Sequence, residues 1–220
     1  MTDDPAMPAD IYANKRAQMV QEQLRERGIR DARVLDAMLR VSRHEFVLPE
    51  YRSQAYEDHP IPIGEDQTIS QPFIIAVTLQ ALELQGTESV LEVGTGSGYQ
   101  TALLAVLARD VYSMERHESL ARDAATTLAR LGFNNLKVVV GDGSYGLREH
   151  APFDAIVVSA AAPSVPRSLF DQLAENGRMV IPVGPPHAQD LQLVRKQNGH
   201  PLVEILEGCR FVPLVGAEGY

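Results

Sequence analysis

From residue 89 onward the chain alternates short apolar runs with longer stretches of helical period. SVLEV (89–93), DVYSMER (110–116), LKVVVGD (136–142), FDAIVVSA (153–160) and RMVIPVG (178–184) read as buried strands, and helical patterns fill the gaps at 99–108, 119–131 and 167–174. Strand and helix in succession imply parallel strands joined by right-handed crossovers, the arrangement that covers both faces of a sheet. The pattern changes near the end. DLQLVRKQNGHPLVEIL alternates apolar and polar residues around Asn198 and Gly199, a hairpin signal, so antiparallel strands finish the sheet. The expected fold is α/β and doubly wound, with a mostly parallel seven-stranded sheet, antiparallel C-terminal strands and N-terminal helices.

Two helices precede this core, at 11–29 and 31–41; in the second, Val34, Leu35, Met38 and Leu39 form an i, i+3, i+4 apolar face. A third, 72–84, leads into the first parallel strand. Between them, residues 42–71 show no sustained period and contain Pro49, Pro60 and Pro62, and a structureless stretch of that length in a compact domain is usually functional or packed as a lid. Residues 1–10 are acidic and broken by two prolines, which reads as a mobile end, and 11–220 reads as a single domain: 11–71 for the helices and an active-site segment, 72–220 for the core and hairpin. Asn176 and Gly177 mark a turn before the strand at 178.

Composition narrows the classes. Of 220 residues, 45% are hydrophobic and 22% charged, ordinary for a globular protein with a full core. The net charge of −9 weighs against a nucleic-acid partner, which calls for a basic face. The N-terminus has neither the basic nor the apolar region of a signal peptide, and no apolar run approaches the ~18 residues that cross a bilayer, so the expectation is a cytoplasmic protein off the membrane. The single cysteine, Cys209, forms no internal disulfide and reads as a small buried core residue beside Phe211 and Val212.

Candidate chemistry begins at VLEVGTGSGYQ, where Gly94, Gly96 and Gly98 lie between the first parallel strand and its helix. Glycines there let the backbone turn sharply and approach a ligand at the carboxyl end of the strands. The third glycine comes one residue earlier than in the dinucleotide fingerprint and no Walker lysine follows, so neither NAD nor ATP is favoured. Glu115, ending the second strand, is placed to accept hydrogen bonds from both hydroxyls of a ribose. In GDG (141–143), Asp142 can accept from an adenine amino group while Gly143 leaves room for the ring. These positions outline an adenosine site without a strong phosphate cradle, as S-adenosylmethionine requires, and their order resembles the class I S-adenosylmethionine-dependent methyltransferases with their Rossmann-like fold.

The flanking blocks narrow the resemblance. AYEDHPIPIGEDQTISQPFIIA, VLEVGTGSGYQTALLA, VYSMER, VVVGDG, APFDAIVVSAAAPSVP, GRMVIPVG and FVPLVGAEG are similar to the protein-L-isoaspartate O-methyltransferases over about residues 15–217, and the first and last blocks are specific to that family. The resemblance implies methyl transfer from S-adenosylmethionine, with S-adenosylhomocysteine as product, to the free carboxyl of L-isoaspartyl residues in damaged proteins and peptides, initiating repair. It implies Ser70 as the active-site residue, with Thr68, Gln71 and Val212 also binding substrate. The cofactor set is Glu92, Gly94, Thr95, Gly96, Ser97, Gly98, Glu115, Arg116, Asp142 and Gly143, with no metal and a monomeric enzyme.

The run GEDQTISQPF (64–73) admits a plainer reading, in which Ser70 or Gln71 caps the helix that begins at Pro72. The two readings are compatible. Ser70 reads as a group that orients the acceptor and not as a nucleophile, because no GxSxG context or base accompanies it; His59 reads as a surface or structural residue. Residues 211–216 read either as a last core strand or as the second wall of a peptide groove that pairs with a bound chain. The rivals are a methyltransferase for RNA or a small molecule, and a non-catalytic S-adenosylmethionine binder; the acidic balance argues against RNA, and the presence of Ser70, Glu115 and Asp142 favours an enzyme.

Overall fold

The computed structural model describes residues 11–220, so the expectation for residues 1–10 lies outside the described residues. The core is a seven-stranded sheet made of β3 (Ser89–Val93), β4 (Asp110–Glu115), β5 (Leu136–Val140), β6 (Phe153–Val158), β7 (Leu173–Val183), β8 (Gln189–Gln197) and β9 (His200–Cys209), in spatial order β5-β4-β3-β6-β7-β8-β9. Pairings from β5 through β7 are parallel, and β7-β8-β9 is antiparallel. The chain runs outward from β3 to β5 and returns to β6 on the other side of β3. Strand order therefore reverses at β3 and β6, the position where open α/β sheets leave a crevice at their carboxyl ends.

β3 shows why both faces must be covered. Val90 packs into one apolar cluster with α2 (Ala32–Arg40), α3 (Pro72–Leu82) and α4 (Tyr99–Leu107), while Leu91 and Val93 join the opposite cluster with Leu169 and Phe170 of α6 (Arg167–Gln172) and Leu214 near the C-terminus. α5 (Glu118–Arg130) contributes Leu120 and Leu128 to the first cluster. α2 starts at Asp31, whose carboxylate accepts from the backbone N–H of Arg33 and Val34, and it buries Val34, Leu35, Ala37 and Met38. Leu39, expected on that face, is 36% exposed; Ala37 takes the inward position. The helix expected at 11–29 is α1 (Ile11–Gln18) continuing as π-helical turns over Met19–Arg25.

Residues 42–71 are more ordered than their lack of period suggested. Two 3-10 turns, Arg43–Phe46 and Pro49–Gln54, lead to an antiparallel pair, β1 (Ile61–Gly64) and β2 (Gln67–Ile69). Ile61, Ile63 and Ile69 are buried, and Glu65 and Asp66 both take positive φ at the turn between the strands. The strands are too short for their alternation to stand out in the sequence. The turn expected at Asn176–Gly177 survives as a break in the β6–β7 register, where Phe153 faces Leu173 but Ala155 faces Arg178. At the β8–β9 tip Asn198 and Gly199 have φ of 51° and 75°, the primed turn the hairpin needs, and both N–H groups donate to the Glu175 carboxylate.

Candidate active site

The glycine loop leaves β3 at its carboxyl end. Gly94, Gly96 and Gly98 have φ of 98°, 53° and 87°, a conformation that side chains other than glycine adopt only under strain. The loop is tied to β4, since the Gly94 N–H donates to the Met114 carbonyl at 2.8 Å and the Gly96 N–H to Glu115 Oε2 at 2.8 Å. The other oxygen of Glu115 accepts from the His117 N–H at 3.0 Å. Each carboxylate oxygen is thus oriented by one backbone donor and keeps a lone pair for a further one, which suits a ribose diol.

These residues line a cleft of about 820 Å³. Its floor is Val93 to Ser97, and its sides are the strand ends: Met114 to His117 from β4, Gly141 and Gly143 from β5, Ser159 and Ala160 from β6. Gln67 to Ser70 form the roof together with residues 212–215. The hairpin β1–β2 closes over the loop so tightly that a Cβ on Gly96 would meet Ile63 Cδ1 at 3.3 Å, and Glu65 at its turn accepts from the Ser119 hydroxyl of α5 at 2.6 Å. At Gly143, which opens the 3-10 turn after β5, a Cβ would lie 2.4 Å from Val93 Cγ1, so glycine lets that turn pack against the end of β3.

Three residues of the expected cofactor set do not line this cleft. Gly98 is taken up in packing, where a Cβ would meet Ala124 and Leu128 of α5 at 3.2 Å. The Asp142 carboxylate accepts from the Ser144 N–H and hydroxyl and from the Ala217 N–H, capping a 3-10 turn and anchoring the C-terminal segment. Burial pushes the Asp142 carboxyl up, but those hydrogen bonds, with Arg116 nearby, outweigh it and hold it below its usual value.

Glu92 is fully buried beneath the loop and accepts from Thr101 (2.5 Å), Ser113 (2.7 Å) and Gln100 (3.0 Å). Gln100 also donates to the Ser159 hydroxyl at 2.9 Å, so Glu92 reaches the cleft wall through a side chain the sequence reading did not single out. Desolvation raises the Glu92 carboxyl to about 7 despite these donors. Its folded pKa therefore exceeds its unfolded one, and the stability gained from its protonated form is lost as pH rises from about 4.5 through about 7. Glu92→Gln, which cannot ionise, is expected to lack this loss. Denaturant unfolding at pH 5 and pH 7.5 checks it: the variant should gain on the wild type at the higher pH, and a difference independent of pH counts against it.

A second opening of about 1030 Å³ abuts the cleft, lined by Pro60, Gln71, Ile74 and Gly208 to Phe211. Thr68, Ser70, Ser159 and Val212 line both, so they form the wall between them. Ser70 is thus a residue of that wall. Gln71 stands at the N-cap of α3, with its side chain turned to Asp58 (2.8 Å to Oδ2), which itself pairs with Arg27 at 2.5 Å. Neither Ser70 nor Gln71 caps the helix through its side chain, contrary to the plainer expectation, so the first N–H groups of α3 are left for another acceptor.

Cys209, expected to be buried, is half-exposed on the second opening, with its thiol pushed up to about 11 by burial and by Asp190 and Glu207. Residues 211–216 form no strand of the sheet; Pro213 makes an isolated parallel bridge to Ala161. The Val212 carbonyl and Leu214 N–H bond to Ala161 at 2.8 and 2.7 Å and Leu214 is buried, while Val212 faces both openings. His59 lies outside both, bonded to the Pro60 carbonyl and Glu57, contacts that raise its pKa.

The family model described as "Protein-L-isoaspartate(D-aspartate) O-methyltransferase (PCMT)" matches residues 14–219. The chain belongs to this family. It is 54% identical over 209 residues to the protein-L-isoaspartate O-methyltransferase of Koribacter versatilis, covering 95% of this chain and 94% of that one. With the same-named protein of Syntrophus aciditrophicus it shares 50% over 214 residues, 96% and 98% of the two chains. Among solved structures, one protein-L-isoaspartate O-methyltransferase superposes with a TM-score of 0.84 at 30% identity, over 93% of this chain and 67% of that one. Another, a Plasmodium falciparum family member described as putative and in complex with S-adenosyl-L-homocysteine, gives 0.78 at 28% identity, over 90% and 96%. The fold is that of a class I methyltransferase.

Proposed function

We propose that this chain transfers a methyl group from S-adenosylmethionine to the free carboxyl of L-isoaspartyl residues in damaged proteins and peptides, with Ser70 holding the acceptor carboxylate. The observation that carries the assignment of roles is the shared wall: Thr68, Ser70, Ser159 and Val212 face a donor cleft on one side and an acceptor groove on the other. When bound, S-adenosylmethionine supplies an electrophilic methyl group on a positively charged sulfur. Glu115 would hold the ribose hydroxyls through its two spare lone pairs, and Gly94 to Ser97, Arg116 and Gly143, which line the same cleft, would hold the rest of the cofactor.

The acceptor needs no base. An α-carboxyl has an unperturbed pKa of about 3.5 and arrives ionised at pH 7. In keeping with that, the groove lining offers no carboxylate, lysine or histidine among the described residues, and of these Arg210 alone is charged. Opposite charges are annihilated as the methyl group moves, so a weakly polar wall that excludes water favours the transition state over the separated ions. The task left to the protein is alignment, which contributes up to ~7–11 kcal/mol of a barrier. A serine hydroxyl supplies it without the countercharge that would stabilise the ground state.

Residues 11–220 act in this reading as one domain, a cytoplasmic monomer serving proteins and not nucleic acid; the net charge of −9 supports the last point. The test offers tritiated S-adenosylmethionine with an L-isoaspartyl peptide and its L-aspartyl twin. Label is expected in the isoaspartyl peptide alone. Methylation of the twin alone, or of neither, refutes the reading.

A further inference from the structure

Arg43 is fully buried, yet no carboxylate among the described residues pairs with it. Its Nε donates to the Ala55 carbonyl and one terminal nitrogen to the Ser70 carbonyl, both at 2.8 Å. The guanidinium carbon lies 4.9 Å from the centre of the Tyr99 ring, and the remaining nitrogen has no hydrogen-bond partner. Burial lowers the Arg43 pKa to about 10, which leaves the group charged at pH 7. A buried cation held this way costs stability, and an apolar side chain of similar volume would fill the site at less cost.

The bond to Ser70 suggests what the cation does. Among the described residues the cis peptide is Ala151–Pro152, so the Ser70–Gln71 peptide is trans and planar, with its carbonyl and its N–H pointing in opposite directions. With the carbonyl drawn inward by Arg43, the Gln71 N–H points the opposite way, and it has no partner among the described residues. Pro72 brings no N–H of its own, so this is the donor nearest to the Ser70 hydroxyl along the chain toward α3.

We propose that Arg43 is a positioning residue: by fixing the Ser70–Gln71 peptide it presents the Gln71 N–H beside the Ser70 hydroxyl, and the two donors hold one oxygen of the acceptor carboxylate while the other receives the methyl group. A carbonyl that accepts from a cation polarises its peptide, which makes the attached N–H a better donor. Lysine is no substitute, since a mobile point charge does not span the Ala55 and Ser70 carbonyls as a planar fork does.

The inference rests on the isoaspartyl reading, so the wild type must first methylate the isoaspartyl peptide in the same assay; if it does not, that reading fails and not this one. Arg43→Lys is expected to lower kcat by about tenfold, the loss of one charge-assisted hydrogen bond, with S-adenosylhomocysteine affinity unchanged. Ser70→Ala should cost less in the Arg43→Lys background than in the wild type, because both act on one carboxylate. Additive losses, or cofactor affinity falling in step with kcat, overturn the proposal. Should the variant not fold, the wild type decides it by NMR: adding the isoaspartyl peptide with S-adenosylhomocysteine should move the Gln71 amide proton downfield, and an unmoved resonance overturns the proposal.

Discussion

Ser70→Ala is expected to lower kcat for an isoaspartyl peptide by about 10- to 100-fold, since a hydrogen bond to a charged group is worth ~1.5–3 kcal/mol. Ser70 stands on the wall between cleft and groove, and its carbonyl, which carries the bond to Arg43, is untouched by the substitution. Affinity for S-adenosylhomocysteine, measured by calorimetric titration, should stay within about twofold, because no cofactor role is assigned to this hydroxyl. A variant that loses cofactor affinity and kcat together would place Ser70 in the donor site instead. A variant with full activity would leave the backbone donors to hold the acceptor alone.

Glu115→Ala acts on the other half of the reaction. It removes the acceptor assigned to both ribose hydroxyls and frees the Gly96 N–H, which now ties the glycine loop to β4, together with the His117 N–H. Losing hydrogen bonds of this kind raises the dissociation constant for S-adenosylhomocysteine by about 100-fold or more. Turnover at saturating S-adenosylmethionine should fall much less. Glu115→Gln keeps one acceptor oxygen and is expected to lie between the two. Unchanged affinity in Glu115→Ala would remove the ribose assignment and leave the carboxylate a purely structural clamp on the loop.

These two residues show how far a linear reading reaches. Glu115 was legible because strand ends recur at fixed places in a parallel sheet, so a carboxylate at the end of β4 has few places to be. Ser70 was legible through the resemblance of its block to a family, and the neutral character of the run agreed with an acceptor that arrives ionised. Asp142 follows the same strand-end logic and is nonetheless turned toward Ser144 and Ala217. The Ser144 that follows GDG supplies the local capping bonds, and the Ala217 N–H, 75 positions away, adds one that no local pattern announces.

The order of strands and helices, the antiparallel finish, the glycine turn and the family were determined by the sequence alone, because period, turn chemistry and short motifs are local properties of the chain. Only the tertiary structure decided which of the candidates face the cleft and what stands behind them. Arg43, Gln100 and Ser159 carry no motif, and a buried arginine reads in sequence like any solvated charge. Their roles arise from contacts across 27, 8 and 59 positions, which exist only once the chain has closed on itself and excluded water from the polar groups it brings together.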